Sequence, residues 1–108
     1  MTLLLMISLF SAPPRITSSS PKLLQRRRGD SIELFCEGKG SPQPTLTWMK
    51  DGRVIKDTLR MIVEMNRVKI QNLQRDDGGV YMCTFINTVG EVAQLIKLVV
   101  EGKFLIIV

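Results

Sequence analysis

Histidine is absent from all 108 residues, and with it the side chain that most often acts as general base or metal ligand near neutral pH. Cysteine occurs only twice, too few for a zinc centre of about four ligands when no imidazole can complete the set. The cluster Gly38-Lys39-Gly40 is too short for a phosphate-binding loop. No apolar run approaches the roughly 20 residues of a membrane-spanning helix, so no transmembrane segment is expected in this chain. Asn66, Asn72 and Asn87 all lack Ser or Thr two positions on, so no N-glycan is expected to mask a face. Aromatic residues make up 6%, which leaves little for base stacking, and nucleic acid is not expected as a partner. No helical period, heptad or internal repeat is present. Together these absences point away from catalysis: the expected molecule is not an enzyme, holds no metal and needs no cofactor.

What is present is a series of short runs with a period of two, in a chain whose length suits one domain with a modest core. The proline-rich lead 12–16 reads as an edge strand, because proline has no N–H to give a ladder. Residues 17–20 read as a loop and 21–28 as the continuation of that edge. Over 30–37, Ile32, Leu34 and Cys36 alternate with Ser31, Glu33 and Phe35, a half-buried strand that carries the first sulfur inward. Residues 38–44 hold two glycines and two prolines and read as a loop. Over 45–50, Leu46 and Trp48 point inward, and Asp51-Gly52 marks a tight hairpin turn. The next strands are expected over 60–66 and 67–73, with Val68 and Ile70 on one face; a slip of one residue would turn both outward. Tyr81, Cys83 and Phe85 alternate over 79–86, residues 87–90 make a turn, and 91–100 is the last strand, with Leu98 and Val100 inward.

One constellation is more specific than this alternation: Cys36, then Trp48, then Asp77-Gly78-Gly79-Val80-Tyr81-Met82-Cys83. On these residues the chain resembles the immunoglobulin superfamily. The short stretch 44–56, with room for a single small hairpin, and the closing Asn87, Gly90, Leu98 and Val100 are similar to its intermediate set, the I-set. The resemblance implies an all-β fold, a two-sheet antiparallel Ig-like sandwich over residues 13–101. It implies a Cys36–Cys83 disulfide between the sheets, Trp48 packed on the sulfurs, and the Tyr81 hydroxyl bonded back to the corner before its strand. It also implies that Arg60 pairs with Asp77, in a structural rather than a functional role. Such a bridge contributes about 4 kcal/mol in the chain-entropy model. Related intracellular domains keep the same two positions as free buried thiols, so the cysteines alone leave both redox compartments open. More narrowly, residues 46–55 and 75–83 resemble the first Ig domain of fibroblast growth factor receptor-like proteins, which implies one module of a multidomain surface receptor. Neural adhesion proteins and giant muscle proteins use similar segments.

At the N-terminus, Leu3, Leu4, Leu5, Met6, Ile7, Leu9 and Phe10 precede the small residues Ser11 and Ala12, so residues 1–12 read as a secretory signal. No Lys or Arg precedes that run and Pro13 follows the cut, which leaves a mis-assigned start or an extra apolar edge segment as competing explanations. Residues 102–108 read as an apolar tail or the truncated start of a following segment. The net charge is +5, and its only cluster is Arg26-Arg27-Arg28. Clustered cations bind polyanions by releasing counterions, which makes heparan sulfate a candidate ligand there; arginines on an edge strand also simply block pairing with other sheets. In the family pattern Arg26 holds an inward apolar position, so either it frays the edge or the strand turns to expose all three arginines. The function expected is recognition of a protein partner at a sheet face or edge, in cell adhesion or receptor ligand binding, by a secreted or cell-surface module. The competing expectation, from a different class, is a cytoplasmic structural domain of a muscle or cytoskeletal filament with free thiols.

Overall fold

Period-two alternation buries one side of every strand, and two such sheets bury those sides against each other. The computed structural model describes residues 10–102. Its strands are β1 (Ala12–Ser19), β2 (Leu23–Arg27), β3 (Ile32–Ser41), β4 (Thr45–Lys50), β5 (Arg53–Val54), β6 (Met61–Glu64), β7 (Arg67–Ile70), β8 (Gly79–Ile86) and β9 (Glu91–Glu101). A 3₁₀ turn, Arg75–Asp77, precedes β8. They form a four-stranded sheet in the order β1-β3-β7-β6 and a five-stranded sheet in the order β2-β9-β8-β4-β5. The apolar leader up to residue 9 and the tail from residue 103 lie outside the described residues.

The core is one stripe from each layer. Ile32, Leu34 and Cys36 of β3, with Val68 and Ile70 of β7 and Leu73, face Trp48 of β4, Tyr81, Cys83 and Phe85 of β8, and Ile96, Leu98 and Val100 of β9. Cys36 and Cys83 are joined across the layers, their Cα atoms 6.5 Å apart. At the β4–β5 hairpin, Asp51 and Gly52 take φ of 48° and 82°, the pair of positive values that a two-residue turn between twisted strands requires.

Three expectations are corrected. Residues 21–28 do not continue the first edge: the chain changes sheets, and β2 pairs with β9 in parallel, the one parallel pair among the described residues. Ser20 explains the crossing. Its N–H donates to Phe35 O at 2.9 Å and its Oγ accepts from Phe35 N at 2.9 Å, closing the β1–β3 ladder. Pro21 then offers no N–H to extend that ladder, and Lys22 O accepts from Lys97 N in the other sheet at 2.8 Å. Second, 17–19 are strand rather than loop, because β1 stays paired with β3 as far as Ser19 opposite Cys36. Third, 38–41 are strand rather than loop, opposite β1 from Ala12 to Ile16. Their glycines serve close packing: a Cβ on Gly38 would sit 3.0 Å from the Phe85 ring, and one on Gly40 would sit 2.9 Å from Pro44 Cγ.

Candidate functional site

The residues around the start of β8 build a scaffold. Asp77 closes the turn before β8 by accepting from Gln74 N at 2.7 Å. It also receives both terminal nitrogens of Arg60, at 2.7 and 3.1 Å. Arg60 Nη1 reaches the carbonyls of Gln71 and Asn72 as well, at 3.2 and 3.1 Å. Burial disfavours the Asp77 carboxylate, but the bonds from Arg60 and Gln74 outweigh it and hold its pKa below the ordinary value. The Tyr81 hydroxyl donates to Asp77 O, and burial pushes that phenol well above its usual range. Lys50 lies over the Tyr81 ring, 5.9 Å from its centroid, while its Nζ donates to Asp76 O. Trp48 is buried in register with Cys83. These groups tie β8 to β6 and β7 and are spent on that task.

The arginine cluster lies on the outer edge of the five-stranded sheet. Arg26 stands in register with buried Val100 and Arg27 with Glu101. The β2 ladder continues to Arg27, so Arg26 does not fray it, yet Arg26, Arg27 and Arg28 are all exposed. Arg26 escapes the inward position by curling back, its Nη1 donating to Gln25 O at 2.8 Å. An open groove beside the β4–β5 hairpin is lined by Lys50, Asp51, Arg53, Val54, Ile55 and Lys56. Lys50 is already engaged and Asp51 opposes the remaining cations, so the groove is no ready anion site. Among the described residues no group of His, Cys, Asp or Glu is placed to hold a metal ion, and no helix is long and apolar enough to cross a membrane.

The outer faces of the two sheets differ. On the four-stranded sheet the cross-strand rows are Glu33–Lys69–Ile62 and Phe35–Arg67–Glu64. Diagonal ion pairs close them, Arg67 to Glu33 at 2.9 Å and Lys69 to Glu64 at 3.0 Å. On the five-stranded sheet the register aligns Leu95, Met82, Met49 and Val54 in one row, with Ala93, Thr84 and Thr47 beside it. Val80 and Ile86 extend this surface along β8. Val54, Val80 and Leu95 are 60, 39 and 53% exposed and join the row in a contiguous apolar patch, while Ile86, 45% exposed, stands beyond Thr84.

Two residues gave little signal in the sequence. Asp51 grips the start of β8, its N–H donating to Val80 O at 2.9 Å and its carboxylate accepting from Val80 N at 2.9 Å. Gly79 permits this, since a Cβ there would lie 2.6 Å from an Asp51 carboxylate oxygen. Asn87 is more than a turn residue. Its Oδ1 accepts from Val89 and Gly90 N–H, and its Nδ2 donates to Ala12 O at 2.8 Å and Pro42 O at 3.0 Å. Nothing local distinguishes either from an ordinary turn former; only the fold brings their partners near.

Residues 13–87 match the model of the immunoglobulin domain family. Protein turtle of Drosophila melanogaster is 33% identical over 96 residues, which cover 83% of this chain and 6% of that protein. The solved extracellular domains 3–5 of Drosophila OTK superpose with a TM-score of 0.77 at 26% identity, over 84% of this chain and 32% of that one. The titin M3 domain superposes with a TM-score of 0.72, also at 26% identity, over 83% of this chain and 98% of that one. The chain spans only 6 to 7% of the length of the curated turtle relatives it matches.

Proposed function

Because the chain belongs to the immunoglobulin domain family, we propose that it is a non-enzymatic extracellular recognition module of the adhesion type, which binds a protein through the outer face of its five-stranded sheet. The observation that carries this is the apolar row Leu95, Met82, Met49 and Val54, continuous across four strands, with Leu95 and Val54 exposed at its ends and Met82 and Met49 half-buried between them. Contiguous apolar surface of this kind is typical of interaction sites. The Cys36–Cys83 bridge supports an oxidising compartment, and the likeness to extracellular domains of OTK supports the same side of the membrane. Clustered protein on beads is expected to capture a cell-surface partner, Leu95→Arg to abolish capture, and Lys69→Glu on the opposite sheet to leave it intact. Equal capture by all three would remove the face from consideration.

Receptor ligand binding of the fibroblast growth factor receptor-like kind is the narrower form of this proposal. Its ground, the likeness over 46–55 and 75–83, falls on the β4–β5 hairpin, the Asp51–Val80 clamp and the Asp77 turn. Those are scaffold parts that any such sandwich needs, and so they weigh little in choosing a partner. The second reading, a cytoplasmic filament domain, is favoured by the likeness to titin M3. Intact mass after expression in a eukaryotic secretion host separates the two. Secretion, trimming near Ala12 and alkylation only after reduction support the extracellular reading; an untrimmed intracellular product with two free thiols supports the filament. Heparan sulfate remains a subordinate proposal on the exposed Arg26, Arg27 and Arg28. Replacing all three with Ala is expected to lower salt-dependent heparin affinity, and an unchanged affinity would leave them the task of guarding the edge.

A further inference from the structure

The outer face of the five-stranded sheet is complementary to itself. Gln94 of β9, Cys83 of β8 and Trp48 of β4 stand level with one another and define a line across the strands. On one side of that line lie the large residues Leu95, Met82 and Met49; on the other lie the small residues Ala93, Thr84 and Thr47. One step further out, Lys97 and Val80 stand on the first side, Glu91 and Ile86 on the second. A two-fold rotation about this line turns the face over onto a copy of itself with the strands antiparallel. Each large residue then meets a small one of the other copy: Leu95 against Ala93, Met82 against Thr84, Met49 against Thr47. Val80 meets Ile86, and Lys97 meets Glu91. Both charged residues are exposed, and neither has an ion-pair partner within the described residues.

We infer that the partner of this face is a second copy of the chain, paired about that two-fold line, with Leu95 and Met82 at the centre and reciprocal Glu91–Lys97 contacts at the ends. The inference rests on the proposed use of this face and deepens it by naming the occupant. An isologous contact requires residues to find their complements in the same patch; large meets small in the central rows of β9, β8 and β4 and positive meets negative at Lys97 and Glu91, with Val54 of β5 left at the rim. β9, β8 and β4, about 4.8 Å apart and each presenting six or seven residues of about 3.3 Å rise, cover with the two residues of β5 roughly 350 Å² per copy. Twice that, about 700 Å², is below the roughly 1,200 Å² at which stable specific interfaces begin. The pairing is therefore weak between free molecules and strengthened when many copies are clustered on a surface. Packing of twisted sheets rotates the strands by about 30°, which keeps the central row closest and leaves the end contacts to the long Lys97 side chain.

Sedimentation velocity of the full chain over a concentration series tests this, beside aggregation of coated beads. The wild type is expected to self-associate, and Leu95→Arg to weaken association at least about tenfold, as for a central interface residue. E91K and K97E are each expected to weaken it several-fold, because each alone sets like charges together. A mixture of E91K with K97E is expected to associate nearly as well as the wild type, since both reciprocal contacts are then opposite in sign. A thermal melt of each variant checks that it is folded. Wild type that stays monomeric, association untouched by Leu95→Arg, or a mixture no better than its components would overturn self-pairing. If self-pairing fails while Leu95→Arg still abolishes capture of another cell-surface protein, the recognition face stands with a different partner; if capture is also unmoved, both fall.

Discussion

The two outer faces of the sandwich obey the same alternation and carry opposite chemistry. On the four-stranded sheet every charge in the central rows finds its opposite on a neighbouring strand, with Arg67 also lying 6.0 Å from the centre of the Phe35 ring. Exposed pairs of this kind add little stability, about 0–1 kcal/mol each, but they leave the face satisfied and hydrated. On the five-stranded sheet the middle is apolar, and the opposite charges Glu91 and Lys97 stand at separate ends of the β9 segment. Charges matched within a face describe a surface meant for water. Charges held apart across an apolar centre fit the proposal that the complement of this face lies in another molecule.

The strongest way to break the comparison is to remove the support that both faces share. Replacing Cys36 and Cys83 with Ala is expected to cost about 4 kcal/mol, read as a large drop in the urea midpoint, and both faces should unfold together. Asp77→Ala comes next, at roughly 2–3 kcal/mol, because it strips the acceptor from Gln74 N–H and Arg60. It also carries a pH signature. The folded pKa of Asp77 is depressed, so its contribution is complete above the ordinary carboxylate value of about 4 and is lost as pH falls through the lower folded value. The wild type should lose this part of its stability in acid, and Asp77→Ala should show a flatter acid limb in melts across that range. Gly79→Ala should cost roughly 1–2 kcal/mol by forcing the Asp51 carboxylate off Val80 N–H.

The smallest effects sharpen the contrast between the faces. Glu33→Ala or Lys69→Ala should change stability by less than about 1 kcal/mol, and the change should shrink further in salt. Leu95→Arg should leave the melting curve within about 0.5 kcal/mol of wild type, because its side chain is half exposed, while removing the function of its face. A destabilised Leu95→Arg would mean that the residue belongs to the core and not to a recognition surface.

Most of the sandwich was legible because burial writes a period of two. Ile32, Leu34 and Cys36, or Tyr81, Cys83 and Phe85, declare their faces without help. The failures came where a residue type has two physical uses. Gly38 and Gly40 look like loop formers but are strand residues that admit Phe85 and Pro44. Pro21 looks like one more edge proline but ends one ladder and lets the chain join the other sheet. Arg26 occupies an inward register position that its long side chain leaves by folding onto Gln25 O. The surface proposed for recognition was not legible at all. Whether Met49, Met82 and Leu95 lie side by side depends on strand order and register, and no local pattern encodes which strand lies beside which.

The parallel pairing of β2 with β9 has a consequence for how the domain bears force. Five successive register pairs, from Leu23 opposite Lys97 to Arg27 opposite Glu101, join the two strands. Because the strands run in the same direction, tension applied toward the N-terminal side of β2 and the C-terminal side of β9 pulls along the ladder in opposite senses. Its hydrogen bonds then share the load in shear instead of opening one after another like a zip, so this pair of strands resists being drawn apart lengthwise better than being peeled from its edge.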